Sequence, residues 1–538
     1  MKKDRLQKGA GGVLKHVFTV GGFTVVSRVL GLVREMMQSR LIGAGVEQSA
    51  FTLAFAAPNM ARKIFGEGAL TAAFVPVFKG AVERGDEETA RRLARAVMTT
   101  LLLVLGACAA AAVAILSVYL AIPSICGEHS PRVVLTVRLV RVLAPYMVFI
   151  CGAAFAMGVL NALGRFVEGA VMPAFLNVVW IAVLAVLSFF PGVSVEARVF
   201  AVAVAILLGG FVQTVFLVRC MGRLGYGFRP LSFRRLAAGA ERDGFNRVWR
   251  NTLTAAAGAG AVHVNCMLDQ VLAQLAAPWA AAVLGYAERL MDLPLGVVGV
   301  AFGTVLLPTF SGLFAKGDLA GARSALAGST RSLLFVMLPA GAAMFVLAPE
   351  IVSAIYEGRA FDSQDTVRVA RALAIYALGL GFFGFQKSIV PWFHAQGDMK
   401  TPLMVSVRMV FLNAALNILS VLFLPVEWRH AGLAASTVVC SAVGAVLLVF
   451  LAHRKNGDLG LSDTFGPIMR ILAASVGMAV ALAMLRPCLA NLPIVASLAV
   501  LVAAGSVVYV GFAAVLMRGE LRAVLRSFNR KRRSSCDV

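Results

Sequence analysis

Arg28, Arg34, Arg62 and Lys63 stand inside two stretches that are otherwise apolar, SRVLGLVREMMQSRLIGAG from Ser27 and PNMARKIFGEGAL from Pro58. At bilayer depth a cation is costly unless it meets water or a partner, so each is a candidate functional residue. Planar guanidinium forks match the oxygens of a phosphate or diphosphate, and several of them held in one cavity would receive an anion of that class. The alternative for the two arginines of the first stretch is partnership with Glu35, but Arg28 lies two turns from Glu35 on the same face, too far for direct contact. Glu67 can neutralise Arg62 or Lys63, while Gly66 and Gly68 let the helix bend or a neighbour approach. Ser27, Arg28, Arg34, Arg62, Lys63 and Glu67 are the candidates for substrate binding in this part of the chain.

The second half supplies YAERLMDLP, in which Glu288, Arg289 and Asp292 fall within one helical turn. Arg289 joins the substrate-binding candidates; the structural alternative is an ion pair with Asp292 at i,i+3. Asp269, Asn413, Asn417 and Thr437, with Ser436, offer oxygen donors of the hard type that sodium prefers, and Asn413 and Asn417 share a face at i,i+4. Hydrogen bonding between helices is the alternative for them. Catalysis has no support: the chain lacks a Walker A loop, GxSxG and HExxH, its six histidines do not cluster, and its eight cysteines form no CxxC pair. They read as small apolar packing residues. Without a nucleotide site, driving energy must come from an ion gradient, the membrane potential or the substrate's own gradient.

The elements that must carry these residues are membrane helices. Of the 538 residues 59% are hydrophobic and 14% charged, and the mean hydropathy is +0.84, an all-α polytopic membrane composition. Apolar runs of about 20 residues number about fourteen, among them 17–42, 49–79, 133–162, 245–275, 281–311 and 328–356. The net charge of +23 is concentrated in alternate loops: Lys2 to Lys15, Lys79 to Arg95, Arg219 to Arg250, Lys316 to Arg331, and Arg518 to Arg533. By the positive-inside rule both termini are cytoplasmic, and the basic tail is a topology determinant rather than a nucleic-acid site. A cleaved signal peptide is not expected, because Arg28 and Arg34 interrupt the first apolar run.

PVFKGAVERGDEETARR from Pro76 returns without a gap as PTFSGLFAKGDLAGARS from Pro308, and NALG at 161–164 is echoed by HAQG at 394–397. The chain therefore reads as two related halves of about six helices each, a parallel repeat of the kind transporters use to form a central cavity. The expected divisions are an N-terminal lobe at 1–222, a basic linker at 223–244, a C-terminal lobe at 245–458, two extra helices within 459–517 and a basic cytoplasmic tail at 518–538. The extra pair would widen the lipid-facing surface, form a groove for a long acyl chain, or serve as an accessory hairpin.

SRVLGLVRE with PNMARKIFGEGALTAAFVPVF, then YAERLMDLPLGVVGVAFGTVLLP and FHAQGDMKTP, resemble the signature segments of the MurJ (MviN) family of the MOP exporter superfamily, in matching order over essentially the whole chain. The resemblance implies a fourteen-helix lipid II flippase of the bacterial inner membrane serving peptidoglycan biosynthesis. In that family the arginines matching Arg28, Arg34, Arg62 and Arg289 line a cationic cavity, and some members place sodium in the second lobe. Its implied partners are lipid II and membrane lipids, with no nucleic acid and no cofactor beyond sodium, in a monomer that can associate with cell-wall synthesis proteins. Two departures stand out, Ser49 where members often carry Asp and Ala56 where some carry Lys. Other classes compatible with the residues are a flippase for another lipid-linked oligosaccharide and a cation-coupled multidrug antiporter, the latter disfavoured by the arginine-rich first lobe. An enzyme acting on lipid-linked sugars would need paired carboxylates or a metal site.

Overall fold

The computed structural model describes residues 22–23, 26–66, 69–122, 131–228 and 242–516, and every regular element among them is helical. Glu67, the loop with Glu128 that is expected on the periplasmic side, most of the linker and the basic tail lie outside the described residues. The chain divides into two compact units: Met1–Val271 with Gly358–Phe361, and Leu272–Glu357 with Asp362–Val538. The first contains α1 (residues 26–42), α2 (Val46–Ala61), a π turn (Arg62–Gly66), α3 (Ala69–Glu83), α4 (Glu87–Ala121), α5 (Pro131–Leu143), α6 (Tyr146–Ala162), α7 (Phe166–Ser188) and α8 (Val195–Met221). The division between units falls within α9 (Arg242–Ala276). The second unit continues with α10 (Ala280–Ala315), α11 (Leu319–Val346), α12 (Ala348–Tyr356), α13 (Ser363–Ala395), α14 (Lys400–Phe423), α15 (Val426–Asn456), α16 (Ser462–Leu485) and α17 (Ile494–Leu516).

Among the described residues nine helices are long and apolar enough to cross a bilayer, and ten if α5 and α6 form one bent span. Apolar side chains face outward as lipid requires: Phe423 is 76% and Val507 72% exposed. The chain is a multi-pass membrane protein. The expected runs 17–42, 49–79, 245–275 and 281–311 are not among the ten. Each includes residues whose side chains lie outside the described set, and they are the runs that hold Arg28, Arg62, Asp269 and Arg289.

Three expected runs are interrupted. The run 49–79 contains the π turn, whose wider winding takes side chains out of the regular 3.6-residue register. The run 133–162 bends by 40° where Pro145, lacking an N–H, separates α5 from α6. The run 328–356 breaks at Leu347, with a proline in the first turn of α12.

The internal repeat is a repeated turn. Asp86 N–H bonds Ala81 O at 3.1 Å and Gly85 N–H bonds Val82 O at 3.0 Å; in the second unit Asp318 and Gly317 bond Leu313 O and Phe314 O at 3.0 Å each. The same pair of bonds ends α6 at Gly164 and α13 at Gly397. These are Schellman closures, in which the glycine takes the left-handed conformation that a Cβ disfavours; φ is +76° at Gly85 and +70° at Gly317. The aspartate that follows then caps the next helix: Asp86 accepts from Thr89 N at 3.0 Å, and Asp318 from Gly321 N at 2.7 Å.

Asp398 repeats the capping on Thr401 N at 3.0 Å and adds an ion pair to Lys455 at 2.8 Å. The Lys455 bond foremost, then the Thr401 amide, hold its carboxyl well down, at about 2. A depressed carboxyl stabilises the fold above its ordinary value near ~3.9, and that contribution is lost as pH falls through the folded value. Thermal unfolding in detergent should therefore fall more between about pH 5 and about pH 2.5 for the native chain than for Lys455→Met. Parallel curves for the two proteins would contradict this account.

Packing in each unit is aromatic at its centre. Phe74 stacks on Phe78 at 5.1 Å and meets Phe155 at 4.7 Å, and Tyr226 closes on Phe78 at 5.3 Å. In the second unit Trp392 takes Phe310 and Phe314 edge-on at 5.7 and 5.0 Å. α16 packs along α11, α17 joins α16, and Tyr509 of α17 donates to Phe335 O of α11 at 2.7 Å.

Candidate functional site

The first unit gathers Arg34, Glu35, Ser27, Asn177 and Trp180. Arg34 Nη1 donates to Asn177 Oδ1 at 3.0 Å, Nη2 pairs with the adjoining Glu35, and the guanidinium lies 4.3 Å over the Trp180 ring. Asn177 Nδ2 in turn donates to Ser27 O at 3.1 Å, so one amide ties both ends of this stretch of α1 to α7. The Glu35 pairing weighed from the sequence is therefore present for Arg34. Arg28, six residues earlier and about 120° around the helix, is exposed. Sequence reasoning missed Asn177 and Trp180; the available signal was a lone Asn one turn from a Trp in the apolar run of α7.

Arg62 opens the π turn, and its Nε and Nη2 both donate to Asn59 Oδ1 at 3.1 Å, one turn back in α2. Two donors converging on one amide oxygen fix the guanidinium plane. Lys63 follows, half-buried. An aromatic wall joins the two arginine positions. Trp180 stands edge-on to Phe51 at 5.9 Å and Phe55 at 6.1 Å, and Phe55 meets Tyr146 at 5.9 Å. Guanidinium groups beside aromatic rings are complementary to an anion with an organic body. Ser49 is fully buried, and its neighbour Gln48 accepts from Gln38 Nε2 at 2.9 Å, so neutral polar side chains stand at this position.

In the second unit Glu288 accepts from Tyr376 OH at 3.4 Å, while Arg289 and Asp292 are exposed on α10. Among the expected cation donors, Asn417 Nδ2 donates to Asn413 Oδ1 at 2.9 Å, with both side chains buried. Thr437 and Ser436 donate to the carbonyls of Leu433 and Gly432 at 3.2 and 2.9 Å, which leaves hydroxyl lone pairs for another contact. Asp269 is half-buried and falls in the first unit. No group of three or more His, Cys, Asp or Glu among the described residues could hold a metal, so neutral oxygens would supply most ligands to any cation.

The family model described as "Lipid II flippase MurJ" matches residues 38–503. A probable lipid II flippase MurJ of Rhizobium tropici is 31% identical over 485 residues, covering 84% of this chain and 89% of that protein. The solved structure titled lipid II flippase MurJ, inward closed conformation, superposes with a TM-score of 0.74 at 21% identity, covering 93% of this chain and 98% of that one. An inward-facing multidrug resistance MATE family transporter of the MOP superfamily gives 0.65 at 15% identity, over 83% of this chain and 99% of that one, a likeness of fold. By the match over residues 38–503 and the Rhizobium relative, the chain belongs to the lipid II flippase MurJ family.

Proposed function

We propose that the chain is a lipid II flippase, moving the undecaprenyl-diphosphate-linked disaccharide-pentapeptide from the cytoplasmic to the periplasmic leaflet of the inner membrane by alternating access. The observation that carries the reading is the family match over residues 38–503, which takes in Arg62 and Arg289 and is joined by the guanidinium positions of α1. Arg28, Arg62 and Arg289, with Arg34 close by, bind the diphosphate; the polyprenyl tail stays in lipid. Cationic charge moving in the membrane field couples to the potential at about 2.3 kcal/mol per charge per 100 mV. The test is complementation: a strain depleted of its own lipid II flippase should grow on this chain, and a strain lacking only an O-antigen or capsule flippase should not. The opposite pattern would favour the other lipid-linked oligosaccharide.

Fourteen spans, two six-helix lobes, the linker and the accessory pair complete the proposal, with both termini and the loop at Lys316 cytoplasmic and Glu357 periplasmic. Single cysteines at Lys316 and Glu357 in a cysteine-free background should report this with an impermeant thiol reagent. Labelling of Lys316→Cys from outside intact cells would overturn the orientation. The chain acts as a monomer, able to associate with cell-wall synthesis proteins.

Sodium coupling rests on donor chemistry alone, the Asp269 carboxylate and the oxygens of Asn413, Asn417 and Thr437. Sodium should then stabilise the purified protein against heat more than potassium does, and Asp269→Ala should remove the difference. Equal effects of the two ions would leave the membrane potential as the driver.

A further inference from the structure

A groove of about 380 Å³ opens between α7 and α8 in the first unit, and none of the arginine-site residues lines it. Its body is apolar, lined by Phe175, Phe211, Val212, Val215 and Phe216, and its end is basic, with Arg219 and Arg223. Phe175 of α7 and Phe216 of α8 form the floor at 4.9 Å, and Phe211 is 52% exposed above it. The groove is built into the packing of the two helices. Buried Gln213 of α8 donates to Met172 O of α7 at 2.7 Å, immediately before Pro173, and holds the helices in register beside the opening.

Arg219 closes α8 and Arg223 lies in the second π turn, Gly222–Tyr226, so the two follow each other along one side of the helix end. Both are exposed, and neither makes a hydrogen bond or ion pair among the described residues. The carboxylate whose charge reaches Cys220 in the groove is Glu168, and Arg165 holds it at 2.8 Å. The groove thus offers two uncommitted positive charges at the end of an apolar slot on a lipid-facing pair of helices. That arrangement is complementary to a negative head joined to an acyl chain.

We propose that the groove between α7 and α8 binds an anionic glycerophospholipid, with its phosphate on Arg219 and Arg223 and one acyl chain along Phe175, Phe211 and Phe216. The volume takes part of one chain, and the diester phosphate needs charge rather than a rigid fork. Binding is therefore selective for head charge over chain identity.

Delipidated full-length protein in detergent, titrated with phosphatidylglycerol or phosphatidylcholine of the same acyl chains and read by native mass spectrometry, tests this. The native chain should retain phosphatidylglycerol preferentially. Each arginine contributes about fivefold and the two together about thirtyfold, so Arg219→Ala with Arg223→Ala should lose that much affinity for phosphatidylglycerol and much less for phosphatidylcholine, whose choline offsets the phosphate charge. The double lysine variant should stay within roughly threefold of native, which separates lost charge from lost folding. Val215→Trp, filling the slot, should weaken both lipids. Unchanged phosphatidylglycerol binding in the double alanine variant would overturn the proposal. So would displacement of phosphatidylglycerol by undecaprenyl phosphate at equal concentration, which would make the groove a dock for the polyprenyl carrier.

Discussion

Alanine at Arg28, Arg62 or Arg289 is expected to abolish complementation of flippase depletion, with the protein still present in the membrane. Truncating one partner of a desolvated, hydrogen-bonded charge pair costs about 2–5 kcal/mol, roughly 30-fold to several-thousand-fold in affinity for the diphosphate. Lysine should restore only part of the function, because a point charge lacks the bidentate fork. The geometry at Arg62 sharpens this expectation. Its Nε and Nη2 both donate to Asn59 Oδ1, so Asn59→Ala should weaken function in the same direction by loosening the plane of the guanidinium. Arg34→Ala should differ, since that side chain holds Asn177, Glu35 and Trp180 together and its loss should also lower the melting temperature. Normal growth on the triple Arg28, Arg62 and Arg289 alanine variant would remove the cationic site from the mechanism. Loss of the protein from the membrane would assign those arginines to structure instead.

Gly43→Ala is expected to destabilise the first unit by about 2–4 kcal/mol, far more than Gly164→Ala at about 1 kcal/mol. The two glycines share φ +79°, so the backbone strain of adding a Cβ is the same. Their surroundings differ. A Cβ at Gly43 would lie 2.3 Å from Ala360 O, whereas nothing stands within 4 Å at Gly164. The segment Gly358–Phe361 cannot retreat cheaply, because Ala360 N–H bonds Arg40 O at 3.0 Å, Gly358 N–H bonds Phe361 O at 3.1 Å and Phe361 is fully buried. Melting of the purified variants in detergent separates the two costs. Equal shifts would show that the contact contributes nothing beyond the turn.

What could be read from the chain was local, and what could not was long-range. The repeat was legible because each copy encodes one short-range device, a glycine closing one helix and an aspartate capping the next; Gly85 with Asp86 and Gly317 with Asp318 do the same thing three bonds at a time. Ten of the expected apolar runs correspond to helices that can cross a bilayer, since lipid exposure needs only length and apolarity. Breaks were harder. Pro145 gives a 40° bend, yet Pro339 and Pro391 sit inside continuous helices, so proline alone does not announce where a span divides. The candidate arginines were visible because a cation is rare in an apolar run, and Glu35 was a visible neighbour of Arg34, but their long-range partners were not. Asn177 lies 143 residues from Arg34 and Trp180 three residues further, and no spacing rule connects α1 to α7. The groove at Phe175 and Phe216 was invisible for the same reason. Phenylalanines in membrane helices carry no signal until two of them face each other across a helix pair.

The most direct test of the central claim is the sidedness of lipid II in cells that depend on this chain. After depletion of the host flippase, lipid II headgroups should be accessible to an impermeant probe on the periplasmic face when the chain is expressed. They should remain inaccessible when Arg28, Arg62 and Arg289 are alanine. Lipid II that stays on the cytoplasmic side while the native chain is present and folded in the membrane would contradict the account.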